Sequence, residues 1–253
     1  MSDNSNYIVH GVVKACDIDR FLKIQGLGRQ PYQNLITNDK YTALVSQLSQ
    51  RGVQTVFEDE DRVKSLVIAH NELLVHVIRT VDIIPIRLGA VHSTHLAVQN
   101  FLQTNAEVFD SIFHRICGRV EYQVEFKGDR ATPRSSLLRN ESVNLGIDRD
   151  RSKQPMGRDY LRMRGESRRL QKNQKNEFDR FAEESLNKLG KFSQEIVQST
   201  ASNVFSVLTD RGPSQSFLSA VEQLAQAGTQ AGIELTVSGP WPAYSFTSLD
   251  GVQ

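Results

Sequence analysis

The chain has 253 residues, of which 39% are apolar and 23% charged, with a formal net charge of +1. This balance is typical of a globular protein and excludes extensive disorder or uniform charge, so nucleic-acid or membrane binding would need local charge. Two cysteines, no long apolar segment and a polar start without signal-peptide regions predict a cytoplasmic protein.

The first half predicts a mixed α/β arrangement. Residues 7–13 are apolar and β-branched, which favours a buried strand, and residues 14–31 are interpreted as a loop or weak strand. Segments 32–37 and 41–48 flank the turn-like Asn38-Asp39 and predict a hairpin. Apolar residues between 58 and 80 recur with the helical period behind an acidic lead-in, which predicts a helix.

Next comes an apolar run, 81–91, that Pro85 interrupts, because proline cannot donate to a sheet ladder. Ser93 or Thr94 is expected to cap a helix that runs to residue 103. Asn105 is expected to cap a second helix over 106–117, which Gly118 closes.

The second half predicts a ferredoxin-like order of strands and helices. Residues 119–126 alternate strictly, which predicts a strand with one wet face. A mobile polar loop over about 128–156 precedes a long exposed helix, about 157–190. Two paired strands, a helix from Ser214 and a strand over 233–237 follow, and the proline-rich tail from 238 should not continue the sheet.

We therefore expect an α+β protein with two domains, an α/β domain at 1–117 and a ferredoxin-like domain at 118–253. No catalytic, cofactor or metal site is predicted. His92 and His95 stand one helical turn apart, but no neighbouring carboxylate or cysteine completes a ligand set. No phosphate-binding loop or nucleophile elbow is present.

A local basic run is the main charge feature. Between residues 151 and 175 there are nine Lys or Arg against two acidic residues. The run could be a solvated helix face, a binding surface for an acidic protein, or a binding site for nucleic-acid phosphates. Few aromatic residues are interleaved, so stacking on single strands is poorly supported. The candidate contacts are Arg158, Arg162, Arg168 and Arg169.

The tail carries the only tryptophan, Trp241, between Pro240 and Pro242, with Tyr244 and Phe246 beyond. Prolines fix backbone angles and lower the entropy cost of holding large rings in place. Such a segment could be a rigid plug that closes the core, or an aromatic surface that faces a partner.

The segment Gly239-Pro-Trp-Pro-Ala-Tyr-Ser-Phe246 resembles the C-terminal signature of the gas vesicle protein GvpF/GvpL family, GvpF-like in particular. Segments 7–13, 84–91 and 118–126 match that family in order, and the sequence from Gly157 to Arg164 is similar to the start of its long helix. Leu88 and Ala243 depart from the family pattern, as does the strand 205–208.

This resemblance implies an α/β N-terminal domain and a modified ferredoxin-like C-terminal domain. It also implies a non-enzymatic accessory protein of the gas vesicle that binds the hydrophobic shell protein GvpA and other accessory Gvp proteins, in some members at the gas-facing surface. The aromatic tail and basic helix are the candidate contacts. Six residues are expected to shape the fold: Pro85, Arg87, Gly89, Gly239, Pro240 and Pro242. Among them, Gly89 is expected to adopt a positive φ, and Arg87 is expected to pair with a carboxylate. A nucleic-acid-binding regulator remains the alternative.

Overall fold

A computed structural model describes residues 5–24, 34–128, 157–201, 203–213 and 215–247. The chain is a mixed α and β protein with two antiparallel sheets, which confirms the predicted fold class. One sheet is built from strands before residue 93 and the other from strands after residue 118.

The first sheet is organised around strand β1 (Ser5–Lys14), whose residues 7–13 are all buried, as the apolar run predicted. The other strands are β2 (Asn34–Thr37), β3 (Tyr41–Ser49), β4 (Ile84–Pro85) and β5 (Val91–His92). The strand order is β2-β3-β1-β4, and β5 pairs with β1 beside β4. Pro85 ends a two-residue strand opposite Gly11, which confirms the predicted break.

The predicted hairpin is confirmed, because β2 and β3 pair antiparallel across Asn38 and Asp39. The Asn38 Oδ1 atom accepts hydrogen bonds from the backbone N–H groups of Lys40 (3.0 Å) and Tyr41 (2.8 Å). An Asn side chain that bonds its own backbone two residues on stabilises a tight turn, which is why this dipeptide reverses the chain.

Five helices are described in this half: α1 (Ile18–Leu22), α2 (Gln50–Glu58), α3 (Glu60–Val77), α4 (His95–Thr104) and α5 (Ala106–Ile116). Helix α1 corrects the predicted loop or strand, since the burial of Phe21 holds a short turn there. Helix α2 was not predicted; its cap is Ser49, whose Oγ accepts from Gly52 N–H at 3.1 Å.

The observed N-terminal caps agree with the sequence signals at helices α3 and α4 and differ from the predicted cap at α5. Asp59 caps α3 and Thr94 caps α4 by accepting backbone N–H groups. Asn105 makes no cap bond to α5 and instead donates to the Phe101 carbonyl at 2.8 Å, since it is buried between two helices where that carbonyl lies within reach.

The second sheet has the strand order β7-β8-β6-β9 with all pairs antiparallel. Its strands are β6 (Arg119–Gly128), β7 (Glu195–Gln198), β8 (Val204–Asp210) and β9 (Ile233–Trp241), and its helices are α6 (Gly157–Leu189) and α7 (Gln215–Ala231). The sequence of elements, strand-helix-strand-strand-helix-strand, is the predicted ferredoxin-like order. The predicted loop at about 128–156 lies outside the described residues beyond Gly128 and stays a prediction.

Two expectations for this half were wrong. Helix α6 is not exposed throughout, because its last three turns pack against the core through Phe178, Phe181, Ala182 and Leu189. The tail does continue the sheet, since β9 runs to Trp241, opposite Glu121. Among the described residues β9 pairs only with β6, and an edge strand tolerates prolines because one row of its N–H groups needs no partner.

Two hydrophobic clusters form the core, and each combines residues from both sides of position 118. Phe246 and Leu208 join the cluster that contains Phe109 and Tyr7. Leu74 and Val13 join the cluster that contains Phe126 and Phe217. The division into domains at 117/118 stays a prediction.

We expect Gly228→Ala to lower the free energy of unfolding by about 1–3 kcal/mol, because overpacking strains a core. A Cβ there would lie 2.5 Å from the Ile233 carbonyl oxygen and 3.2 Å from Phe181 Cζ. Gly165→Ala is the matched control, since that helical glycine is exposed with nothing within 4 Å of the added Cβ. The control should raise stability by about 0.5–1 kcal/mol. Equal urea midpoints for the two variants would contradict this packing.

Candidate functional site

The aromatic tail ends in a short 3-10 turn, Tyr244–Phe246, that follows strand β9. The three aromatic side chains of the tail differ in exposure. Phe246 is fully buried, Tyr244 is partly buried, and Trp241, just before the turn, remains 40% exposed. The Trp241 indole N–H donates to Ser238 Oγ at 3.2 Å, and this hydrogen bond restrains the ring.

Gly239 is required where the tail meets strand β6. Its φ is +140°, a conformation that side chains disfavour, and an added Cβ would lie 2.9 Å from the Glu121 carbonyl oxygen. The Gly239–Pro240 peptide bond is cis. Pro240 is exposed and Pro242 is buried, so only the second proline contributes to the core.

Tyr244 is anchored by a buried chain of polar side chains that sequence reasoning missed. Its hydroxyl pairs with His70 Nε2 at 2.7 Å, His70 Nδ1 pairs with His10 Nδ1 at 2.9 Å, and His10 Nε2 pairs with Ser46 Oγ at 2.6 Å. His10, Ser46 and His70 are each at most 4% exposed. The only sequence signal was a histidine inside the otherwise apolar run of β1.

This chain of contacts requires at least one of the two histidines to be neutral. A neutral imidazole has one donor and one acceptor nitrogen, so the two rings can share one N–H between their Nδ1 atoms while Ser46 and Tyr244 complete the ends. If both rings were imidazolium ions, each Nδ1 atom would carry a hydrogen, and the two N–H groups would point at each other without an acceptor. Burial lowers the pKa of both His10 and His70 to about 4, His70 adding to the effect at His10, and burial raises the pKa of Tyr244 to about 12.

A buried carboxylate holds the middle of the turn. Glu121 is 2% exposed and accepts hydrogen bonds from Ser245 N–H (2.9 Å), Ser245 Oγ (2.9 Å) and Ser206 Oγ (2.7 Å). This corrects the expectation that every polar residue of 119–126 lies on a wet face. The tail turn covers that face at Glu121, and its donors replace water there.

Arg115 of α5 holds the end of the turn. Its Nη1 group donates to the Phe246 carbonyl at 3.0 Å, and its guanidinium carbon lies 5.5 Å from the centre of the Phe246 ring. The same guanidinium forms a bidentate ion pair with Glu195 of β7. Its Nε atom donates to Oε2 at 2.7 Å, and its Nη2 atom donates to Oε1. This hydrogen-bonded pair raises the pKa of Arg115 and lowers that of Glu195.

The remaining candidates lie away from this turn. Pro85 is buried beside β1, and Gly89 has φ +115°, which confirms its expected backbone role. Arg87 is exposed and makes no ion pair with the described residues, so its expected bridge to a carboxylate stays a prediction. Arg168 and Arg169 are exposed on α6. Arg158 and Arg162 belong to the same helix, with side chains outside the described set.

No group of three or more His, Cys, Asp or Glu side chains among the described residues is positioned to hold a metal ion. None of the helices described is both long and apolar enough to cross a membrane.

Comparisons with known proteins agree over nearly the whole length. A family model described as gas vesicle synthesis protein GvpL/GvpF matches residues 7–248. The crystal structure of the gas vesicle protein GvpF from Anabaena sp. PCC7120 is similar, with a TM-score of 0.62 and 16% identity over 98% of each chain. That of GvpF from Microcystis aeruginosa has a TM-score of 0.57 and 13% identity, over 96% of this chain and 99% of the other. No curated protein sequence matches significantly. At these identities the structural likeness concerns the fold.

Stability should fall as the pH drops from about 6.5 towards 4, because the unfolded chain then binds protons that His10 and His70 do not bind when folded. A shift of the His10 pKa from 6.5 to about 4 corresponds to roughly 3 kcal/mol once both states are fully protonated. Urea unfolding at pH 7.5 and pH 5 measures the part of this loss that falls above pH 5.

The variant His70→Gln, which removes one of the two titrating rings, should show a smaller loss between these pH values. The exposed His114 provides the control, and His114→Gln should keep the loss of the parent protein. A parent protein of equal stability at pH 7.5 and pH 5 would show that the buried rings are not linked to folding in this way.

Proposed function

The chain belongs to the gas vesicle GvpL/GvpF family, and on that premise we propose that it binds the hydrophobic shell protein GvpA and other accessory Gvp proteins during vesicle assembly. The observation that carries the proposal is the family match over residues 7–248. The proposed role is binding, and no substrate is transformed.

The chemistry of the shell supports a binding role. A subunit that presents apolar surface to gas exposes that surface to water before it is assembled, which makes it prone to aggregation. A protein that covers the apolar surface, or holds it in register, removes this hazard. The binder needs a rigid apolar contact of its own that stays accessible after it folds.

Trp241 has these properties. It is 40% exposed although three residues that follow it, Pro242, Ala243 and Phe246, are buried. The backbone beside it is fixed by pairing with β6 and by the anchors of the 244–246 turn, so little entropy is lost when a partner docks. Tryptophan is enriched among the residues that dominate binding energy at protein interfaces. Phe246, also a candidate, is enclosed by the core and cannot touch a partner that docks on this fold.

The buried Ser46–His10–His70–Tyr244 chain does not support catalysis. It contains residue types that enzymes use, but each is hydrogen-bonded to another member, and three of the four are nearly inaccessible. A nucleophile needs access to a substrate as well as a neighbouring base. We assign the chain of contacts to holding the tail.

Trp241→Ala should weaken binding to purified shell protein by tenfold or more and cost far less stability than the 3–5 kcal/mol of truncating a fully buried tryptophan. Leu96→Ala is the control, since Leu96 is an exposed apolar residue on α4, 64% accessible. Fluorescence anisotropy with labelled shell protein measures the affinity, and urea unfolding the stability. Unchanged affinity of the Trp241 variant would remove this residue from the contact. Absence of binding by the parent protein would overturn the proposed function.

The proposal extends to location, because a binder of the apolar surface lies on the gas-facing side of the shell. Added protease should then leave the chain intact in whole vesicles and degrade it after the vesicles are collapsed by pressure. Free purified chain added to intact vesicles is the control and should be cut. Cleavage of the resident chain in intact vesicles would place it outside.

A further inference from the structure

Charge is segregated along helix α6. Over residues 164–175, the described basic residues outnumber the single acid, Glu166, by five to one: Arg164, Arg168, Arg169, Lys172 and Lys175. Over 177–184 the balance reverses, with one basic residue, Arg180, against Glu177, Asp179, Glu183 and Glu184. All eleven of these charged residues are exposed. One helix therefore presents a basic segment directly followed by an acidic one.

The two segments share one face of the helix. Arg164, Arg168, Lys172 and Lys175 recur at intervals of three or four residues, and Asp179 and Glu183 continue the same spacing. Residues spaced in this way lie above one another on an α-helix. We call this row the charged stripe.

The charged stripe is unfavourable for the chain on its own. Arg164 and Arg168, and again Arg168 and Lys172, are like charges four residues apart, which destabilise an isolated helix. Within the ranges that the structure describes, neither Arg168 nor Lys172 makes an ion pair. Contacts among the described residues thus offer no compensation for clustering these cations.

The acidic end of the charged stripe borders a groove. A cavity of about 360 Å³ lies between α6 and strands β7 and β8, and Phe178, Ala182, Leu186 and Phe205 form its apolar lining. Asp179 and Glu183 line the same cavity. Such a surface suits a long side chain with an aliphatic stem and a cationic end, as Arg and Lys have.

We propose that the charged stripe is a self-association surface, on which α6 of a second copy of this chain packs antiparallel. A two-fold axis that passes between Lys175 and Asn176 brings Arg168 opposite Glu183 of the second copy, and Lys172 opposite Asp179. The basic stems then cover the apolar groove. A two-fold contact uses the same patch on both copies, so each of these pairs forms twice.

The pattern favours a second copy over nucleic acid or a uniformly acidic protein. Either of those partners would be attracted by Arg168 and Lys172 and repelled by Asp179 and Glu183 on the same face. An antiparallel copy is complementary to both segments at once, and charge complementarity fixes register and excludes other partners. This inference does not depend on binding to the shell protein.

A charge reversal tests the register. Arg168→Glu and Glu183→Arg each place like charges in contact, so each should weaken self-association tenfold or more in sedimentation velocity at low salt. When the two variants are mixed, every Arg168–Glu183 position in the mixed pair again holds opposite charges, so association should return to within about threefold of the parent. Lys188→Glu, an exposed change off the charged stripe, is the control and should have no effect.

Circular dichroism checks that each variant keeps the parent fold. A parent chain that stays monomeric at 100 µM and low salt would overturn the proposal. So would single variants that associate normally, or mixed variants that do not recover. Loss of binding to the shell protein or to DNA by Arg168→Glu, without any change in self-association, would assign the charged stripe to that partner instead and overturn the proposal. Failure of shell binding alone would leave the self-association result unaffected.

Discussion

The tertiary structure depends on how the turn Tyr244–Phe246 is held between the two sheets. His70 of α3, Arg115 of α5 and Glu121 of β6 each supply a polar partner to a different residue of the turn. A three-residue 3-10 turn has little stability of its own. Polar groups buried without partners are costly, so these contacts stabilise the fold only when helix, sheet and tail are all in place. The turn therefore makes its full set of hydrogen bonds only when both halves of the chain are correctly packed.

This dependence explains why one aromatic residue remains available for binding. The turn draws Phe246 into the core and ties Tyr244 to His70, while Trp241 ends a strand that is fixed on one side by β6. A ring on such a rigid backbone offers contact area at low entropic cost. The same short segment thus has two roles. Its buried polar contacts stabilise the fold, and its exposed tryptophan is available to bind a partner.

Much of the fold could be predicted from residues that act locally. The apolar run of β1, the Asn38 turn and the Thr94 cap depend on neighbours within a few positions, and each was found where the sequence indicated. Predictions failed where distant segments decide. Glu121 looked solvent-facing because strand alternation cannot show that Ser245, far along the chain, would cover it. Helix α6 looked exposed because its charged residues conceal the short spacing of Phe178, Phe181 and Ala182.

The sequence by itself determined the order of helices and strands after residue 118, the family resemblance and the accumulation of positive charge before residue 176. These properties depend on backbone propensity, period and composition, which are carried by short stretches of chain. Only the tertiary structure decided that His10 and His70 share a buried hydrogen bond, that the tail extends a sheet as an edge strand, and that the acidic turns of α6 border a groove. Burial and hydrogen-bond partners are set by which distant surfaces meet, and no local pattern of residues contains that information.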